Sequence, residues 1–161
     1  MKALPKEKIK ADAAAVKLSL GERKIFDLVS ADADREITKK NPYVVMKYFQ
    51  DSWECFSAWE KDELKQLSAF LRRLGSHTWQ QVYETAGKSG KHGLAYTKYE
   101  LSHVKSSAKE QLEKVKKLIS EDIDFFELRV DQNKLRVHGF QSQAAFFLVL
   151  LDREHSVFPM G

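Results

Sequence analysis

The stretch from Phe125 to Phe158 constrains this chain more than any other: FFELRV, DQNK, LRVHGFQ, SQ, AAFFLVLL, then DREHSVF. Its first two runs are rich in Phe, Leu and Val and are parted by a short polar turn, the pattern of a β-hairpin. The third run is apolar at every position from Ala144 to Leu151. Such a run suits a strand buried on both faces, or one central in its sheet. In an alternating strand Arg136 and His138 share one face, and Leu135 and Val137 the other. An arginine beside an imidazole offers a place for phosphate, which makes that face the candidate site.

The rest of the chain supplies helices and one more strand. Ile9, Ala13, Val16 and Leu20 lie at helical spacing in Ala-rich text, with Gly21 placed to end the helix. ERKIFDLV follows as a second short helix, and residues 1–40 read as a helical N-terminal arm ahead of an α+β domain at 41–161. Tyr43 to Phe49 (YVVMKYF) is β-branched and aromatic, hence a strand. Leu64, Leu67, Leu71 and Leu74 recur every three or four residues and predict an amphipathic helix stopped by Gly75. Thr78 with Gln81 forms a capping-box pattern, which predicts a second helix from Trp79 to about Ala86. GKSGKHG at 87–93 is expected to be mobile. Leu112, Val115 and Ile119 make one stripe of a last helix, with lysines on its other face. The expected fold is α+β: an antiparallel sheet of about four strands, helices packed on one side, and the arm in front.

Charge and composition narrow the function. The net charge is +4, and residues 87–117 hold eight lysines against three acids. Concentrated positive charge suits a surface that meets a polyanion. Lys47, Lys88, Lys91, Lys114, Lys116 and Lys117 are the candidate nucleic-acid contacts, although lysines on a helix face are often merely solvated. No apolar run reaches the roughly 18 residues of a membrane helix, and the N-terminus has no continuous apolar segment of a secretory signal. The single cysteine, Cys55, fits a reducing compartment, so the expectation is a cytoplasmic protein with no membrane partner. Without a glycine-rich phosphate loop, zinc-type Cys/His spacing or a nucleophile elbow, no cofactor and no metal are expected.

The order strand, helical hairpin, then an antiparallel run with arginine in its middle and histidine at its end resembles the RelE/ParE superfamily of small bacterial toxins. FELRVDQNKLRVHGF and FFLVLLDREHSVF carry the resemblance, which spans roughly residues 43–158. It implies a bacterial toxin-antitoxin protein: a metal-independent endoribonuclease that cuts messenger RNA on the ribosome and is held by a cognate antitoxin. By position, Arg129 and Arg136 match the hairpin arginines and His155 the terminal basic group. Phe158 falls where the family often has tyrosine and supplies no hydroxyl. The insertion around 87–107 departs from the compact family pattern.

RNA cleavage needs a group to take the 2′-hydroxyl proton, one to protonate the leaving 5′-oxygen, and cations for the phosphorane charge. Arg129, Arg136, His138 and His155 make a sufficient set. Each also has an ordinary structural role. The arginines could pair with Glu127 or Asp131, His138 could be a plain sheet residue, and Asp152 in DREH could cap a turn. Trp53, Trp59 and Trp79 read as core. The rival functions are a non-catalytic module that binds nucleic acid or an antitoxin, and a topoisomerase inhibitor of the same superfamily. Geometry separates them: cleavage requires His138 or His155 beside Arg136 in an exposed cleft, and buried imidazoles favour the binder.

Overall fold

The structure is a computed structural model that describes residues 19–25, 35–87, 93–104 and 107–158. The chain separates into two compact units, 1–36 and 37–161. In the first, residues 20–25 are helical, and Ser19 and Glu22 exchange side-chain-to-backbone hydrogen bonds of 2.7 and 3.2 Å at the helix start. Gly21 therefore lies inside a helix and does not end one. The rest of the predicted first helix lies outside the described residues.

The second unit is α+β. Strand β1 (Tyr43–Val45) leads into helices α1 (Lys61–Ser76) and α2 (Trp79–Glu84). A short strand β2 (Thr97–Lys98), helix α3 (Ala108–Ile119), and strands β3 (Phe125–Arg129), β4 (Arg136–Ser142) and β5 (Ala145–Asp152) follow. The strands form one sheet in the order β1-β5-β4-β3-β2. The expectation of about four antiparallel strands is corrected to five in a mixed sheet. β1 runs parallel to β5, with Tyr43 opposite Ala145, and β2 extends the far edge beside β3.

β1 stops at Val45, short of the predicted Phe49. The backbone turns at Met46, whose carbonyl accepts from Phe49 N, and Gln50 N then donates to Val149 O at 2.8 Å. That carbonyl belongs to a bulge: opposite His138 and Gly139 the partners step from Leu150 to Leu148, leaving Val149 as the extra residue. Gly139 is required there. A Cβ on it would lie 1.9 Å from the Phe147 carbonyl oxygen.

Helices cover both faces of the sheet, not one. α1 and α2 bring Leu67, Phe70, Leu74, Trp79 and Val82 onto Phe126, Leu128, Val137, Phe146 and Leu148. α3 brings Ala108, Leu112 and Val115 onto Phe125, Phe140, Val149 and Leu150. The physical reason is the unbroken apolar run of β5, which leaves no side to face water; each fully buried Phe, Leu or Val contributes about 1.5–3 kcal/mol. In α1 the buried stripe is Leu67, Phe70 and Leu74, while Leu71 is 41% exposed. Gly75 sits within α1, which runs one residue further to Ser76. The capping box of α2 forms as expected: Thr78 N donates to Gln81 Oε1 at 2.9 Å and Gln81 N to Thr78 Oγ1 at 3.3 Å. Trp79 then anchors the hairpin to the sheet by donating its Nε1–H to Ala144 O at 2.9 Å. Trp53 and Trp59 likewise donate, to Leu151 O and Glu54 Oε2. None of the helices among the described residues is long and apolar enough to cross a membrane.

Candidate functional site

The hairpin register places the polar residues of β3 and β4 opposite one another: Glu127 faces His138, and Arg129 faces Arg136. All four lie on the α3 side, in the same alternation as Phe125 and Phe140. That face is covered, contrary to the expectation of a solvent-facing surface. Tyr99, Val157 and Phe158 close over it, the last stacked on Tyr99 with ring centroids 5.0 Å apart. His138 is 0% exposed, Glu127 4% and Arg136 7%.

Burial forces these groups to satisfy one another. Tyr99 Oη is 2.9 Å from His138 Nδ1, and His138 Nε2 is 3.0 Å from Asp152 Oδ2. A tyrosine hydroxyl donating to Nδ1 leaves the proton on Nε2, where it donates to the carboxylate. Asp152 also accepts from Ser156 N at 2.9 Å and Val157 N at 3.0 Å, so it caps the turn after β5. Burial pushes its carboxyl up, but the His138 hydrogen bond and the two backbone donors outweigh that and hold it below the usual carboxylate range. Burial, with Glu127 and Asp152 nearby, pushes the Tyr99 hydroxyl well above its ordinary value, so it remains a donor.

The turn capped by Asp152 carries His155 in the left-handed region, at φ 54°. A non-glycine residue there is strained by roughly 1 kcal/mol or more, and the cap supplies the constraint that holds it. His155 Nε2 lies 3.1 Å from Glu127 Oε1, and its side chain is 23% exposed. Arg136 Nε is 3.9 Å from the same oxygen, and Arg136 also donates from Nη1 to Leu135 O at 2.9 Å. Glu127 Oε2 is buried with no hydrogen-bond partner. Two imidazoles and two carboxylates meet here, yet among the described residues no three such groups are arranged to hold a metal ion.

The structure thus brings Arg136, His138 and His155 together around Glu127, but only His155 reaches solvent appreciably. Arg129 sits opposite Arg136 in the hairpin, close enough for the two charges to act on one another. It is half-buried at the end of β3 and lines a separate recess with Arg73. Lys47 is exposed in the turn after β1, its ammonium 5.4 Å from the Tyr48 ring centroid. Lys114 and Lys117 lie on the outer surface of α3 among Glu110 and Glu113, with Lys116 partly buried beside them. Lys88 and Lys91, with most of the predicted mobile loop, lie outside the described residues.

Tyr99 and Arg73 were missed by sequence reasoning, and Glu127 was named there only as a structural partner for the arginines. The place of Glu127 in the site could have been found: a four-residue turn that pairs Arg129 with Arg136 sets Glu127 opposite His138. Tyr99 carried no signal, because its surroundings (LAYTKYELSHV) have neither clear periodicity. The chain matches no family model, no curated protein and no solved structure among those compared.

Proposed function

We propose that this protein is a metal-independent endoribonuclease of the toxin-antitoxin kind, in keeping with its resemblance to the RelE/ParE superfamily, and that His155, Glu127 and Arg136 form its centre. One observation carries this reading: a partly exposed imidazole bonded to a buried carboxylate whose second oxygen has no partner. A purely structural network normally satisfies all its buried oxygens. Glu127 fixes the proton of His155 on Nε2 and leaves Nδ1 as a base, the logic by which a carboxylate orients a catalytic histidine. Nδ1 takes the proton of the RNA 2′-hydroxyl as the oxygen attacks phosphorus and the bond to the 5′-oxygen breaks. The imidazolium then returns that proton to the leaving oxygen. A 2′,3′-cyclic phosphate and a 5′-hydroxyl result, with no net change in protons. Arg136, buried beside Glu127, contributes positive charge from behind that carboxylate and does not meet the RNA. His138 has no part in this chemistry, since both its nitrogens are engaged within the core.

The binding module is the second reading, favoured by the burial of Arg136 and His138. One experiment separates the two. Purified protein is incubated with free RNA and with RNA on ribosomes, and the ends produced are mapped. Cleavage should occur, and His155→Ala should lose about a hundredfold of its rate, the usual scale for an acid–base group. Intact RNA in the presence of ribosomes, from protein that nonetheless binds it, assigns the module reading.

A further inference from the structure

The strongest unexplained feature lies at the hairpin end of the sheet. Arg73, in the last turn of α1, and Arg129, at the end of β3, line one recess of about 370 Å³ together with Gln66, Gly93, Asp131 and Asn133. That volume falls in the range of small-molecule sites, about 300–1,000 Å³. Each arginine is fixed from one side. Arg73 donates Nη2–H to Val130 O at 2.9 Å, and the Arg129 backbone N–H donates to Leu94 O at 2.7 Å. Both guanidinium groups nevertheless keep a buried Nε–H with no hydrogen-bond partner. Buried donors left unmade cost about 1–3 kcal/mol each, so two on neighbouring arginines at one end of the sheet call for a use.

Among the described residues, the one carboxylate in the lining does not answer them. Asp131 Oδ1 is committed to the hairpin turn, where it accepts from Asn133 N and Leu135 N, both at 3.0 Å. Two guanidinium groups against one occupied carboxylate leave the recess positive and rich in planar donors. That is the arrangement that recognises a tetrahedral oxyanion through paired N–H bonds. Burial also draws the Arg73 guanidinium below its ordinary value.

We infer that the recess between Arg73 and Arg129 is a phosphate-binding site, with room beside the phosphate for part of a nucleotide. It does not rest on the cleavage proposed for His155, and it would hold phosphate in a protein that cuts nothing. The phosphate could belong to a free ion or nucleotide, or to an RNA backbone.

The test uses the full chain and inorganic phosphate at constant ionic strength, balanced with chloride. Phosphate should raise the thermal midpoint and shift the Nε–H resonances of Arg73 and Arg129. Arg129→Gln and Arg73→Gln should each weaken phosphate at least tenfold. Lys98→Gln, a charge loss at a cation paired with Asp124 at 3.1 Å, should not. If a variant fails to fold, the wild-type resonances still decide: arginine Nε–H signals unmoved by phosphate overturn the inference. Equal effects of phosphate and chloride do the same. A second arm assigns the source. Phosphate that competes with a short RNA identifies a backbone phosphate, while phosphate that binds alongside RNA identifies a free ion or nucleotide. His155→Ala leaves this binding unchanged, so loss of cleavage and loss of phosphate are read separately.

Discussion

Asp152→Ala tests the buried network at its most connected point. The carboxylate accepts from His138 Nε2, Val157 N and Ser156 N, and Ser156 Oγ approaches at 3.3 Å. His138 and Val157 are both 0% exposed, so two of these donors would lose their partner where water does not reach. Each buried donor left unmade costs about 1–3 kcal/mol, which gives roughly 2–6 kcal/mol for the pair, with Ser156 N turning to solvent at little cost. Urea unfolding followed by tryptophan fluorescence measures this directly. With a slope of about 2 kcal/mol per molar, a loss of 3 kcal/mol moves the midpoint by about 1.5 M. Ser156→Ala is the control: it removes only the long hydroxyl contact and should cost a few tenths of a kcal/mol. Asp152→Asn should cost less than the alanine variant, because an amide oxygen in the place of Oδ2 still accepts from His138 Nε2 and Val157 N, and its amide nitrogen meets only the Ser156 side. A loss below about 1 kcal/mol for Asp152→Ala would refute the claim that this carboxylate satisfies otherwise unpaired core donors.

Two further outcomes follow from the same geometry. Gly139→Ala sets a methyl 1.9 Å from the Phe147 carbonyl oxygen and 2.8 Å from the Phe146 ring, and backbone in the sheet centre cannot yield cheaply. It should cost about 3 kcal/mol or more by thermal unfolding, and a near-neutral result would mean that the bulge can relax. Because the Asp152 carboxyl is held below its usual range, its ionised form contributes stability above about pH 4, lost as pH falls through the lower folded-state value. Stability measured from pH 6 downward should therefore show an acid decline that is weaker in Asp152→Asn, and parallel curves would remove Asp152 as its source.

Local signals carried much of the fold. The hairpin, the two-faced strand β5, the capping box at Thr78 and the stripe of α3 were all legible, because each depends on residues within a few positions of one another. Helices on both faces were implied by the apolar run at 144–151, yet the expectation placed them on one side. An unbroken run says that both faces are buried but not by what. The parallel pairing of β1 was beyond reach, since it joins residues about a hundred positions apart and rests on three register partners. Leu71 and Gly75 misled for a related reason. Which of several adjacent apolar positions turns inward depends on the sheet below them, and a helix packed along its length tolerates a glycine near its end. At the site, the sharing of a face by Arg136 and His138 was legible, but the side that covers them was not. Tyr99 and Val157 come from segments without periodicity.

That covering changes what the arginine–imidazole pair means. On an open sheet, Arg136 and His138 would be reagents. Beneath Tyr99, Val157 and Phe158 they become part of a polar core, and a polar core specifies register because any slip leaves charges unpaired. A one-residue shift of β4 against β5 would part His138 from Asp152, and with it release the turn that holds His155 at φ 54°. The buried network therefore positions His155, the imidazole of this cluster that reaches solvent. The chemistry proposed for His155 depends on side chains that never meet the substrate, and loosening Asp152 should lower activity even in molecules that remain folded.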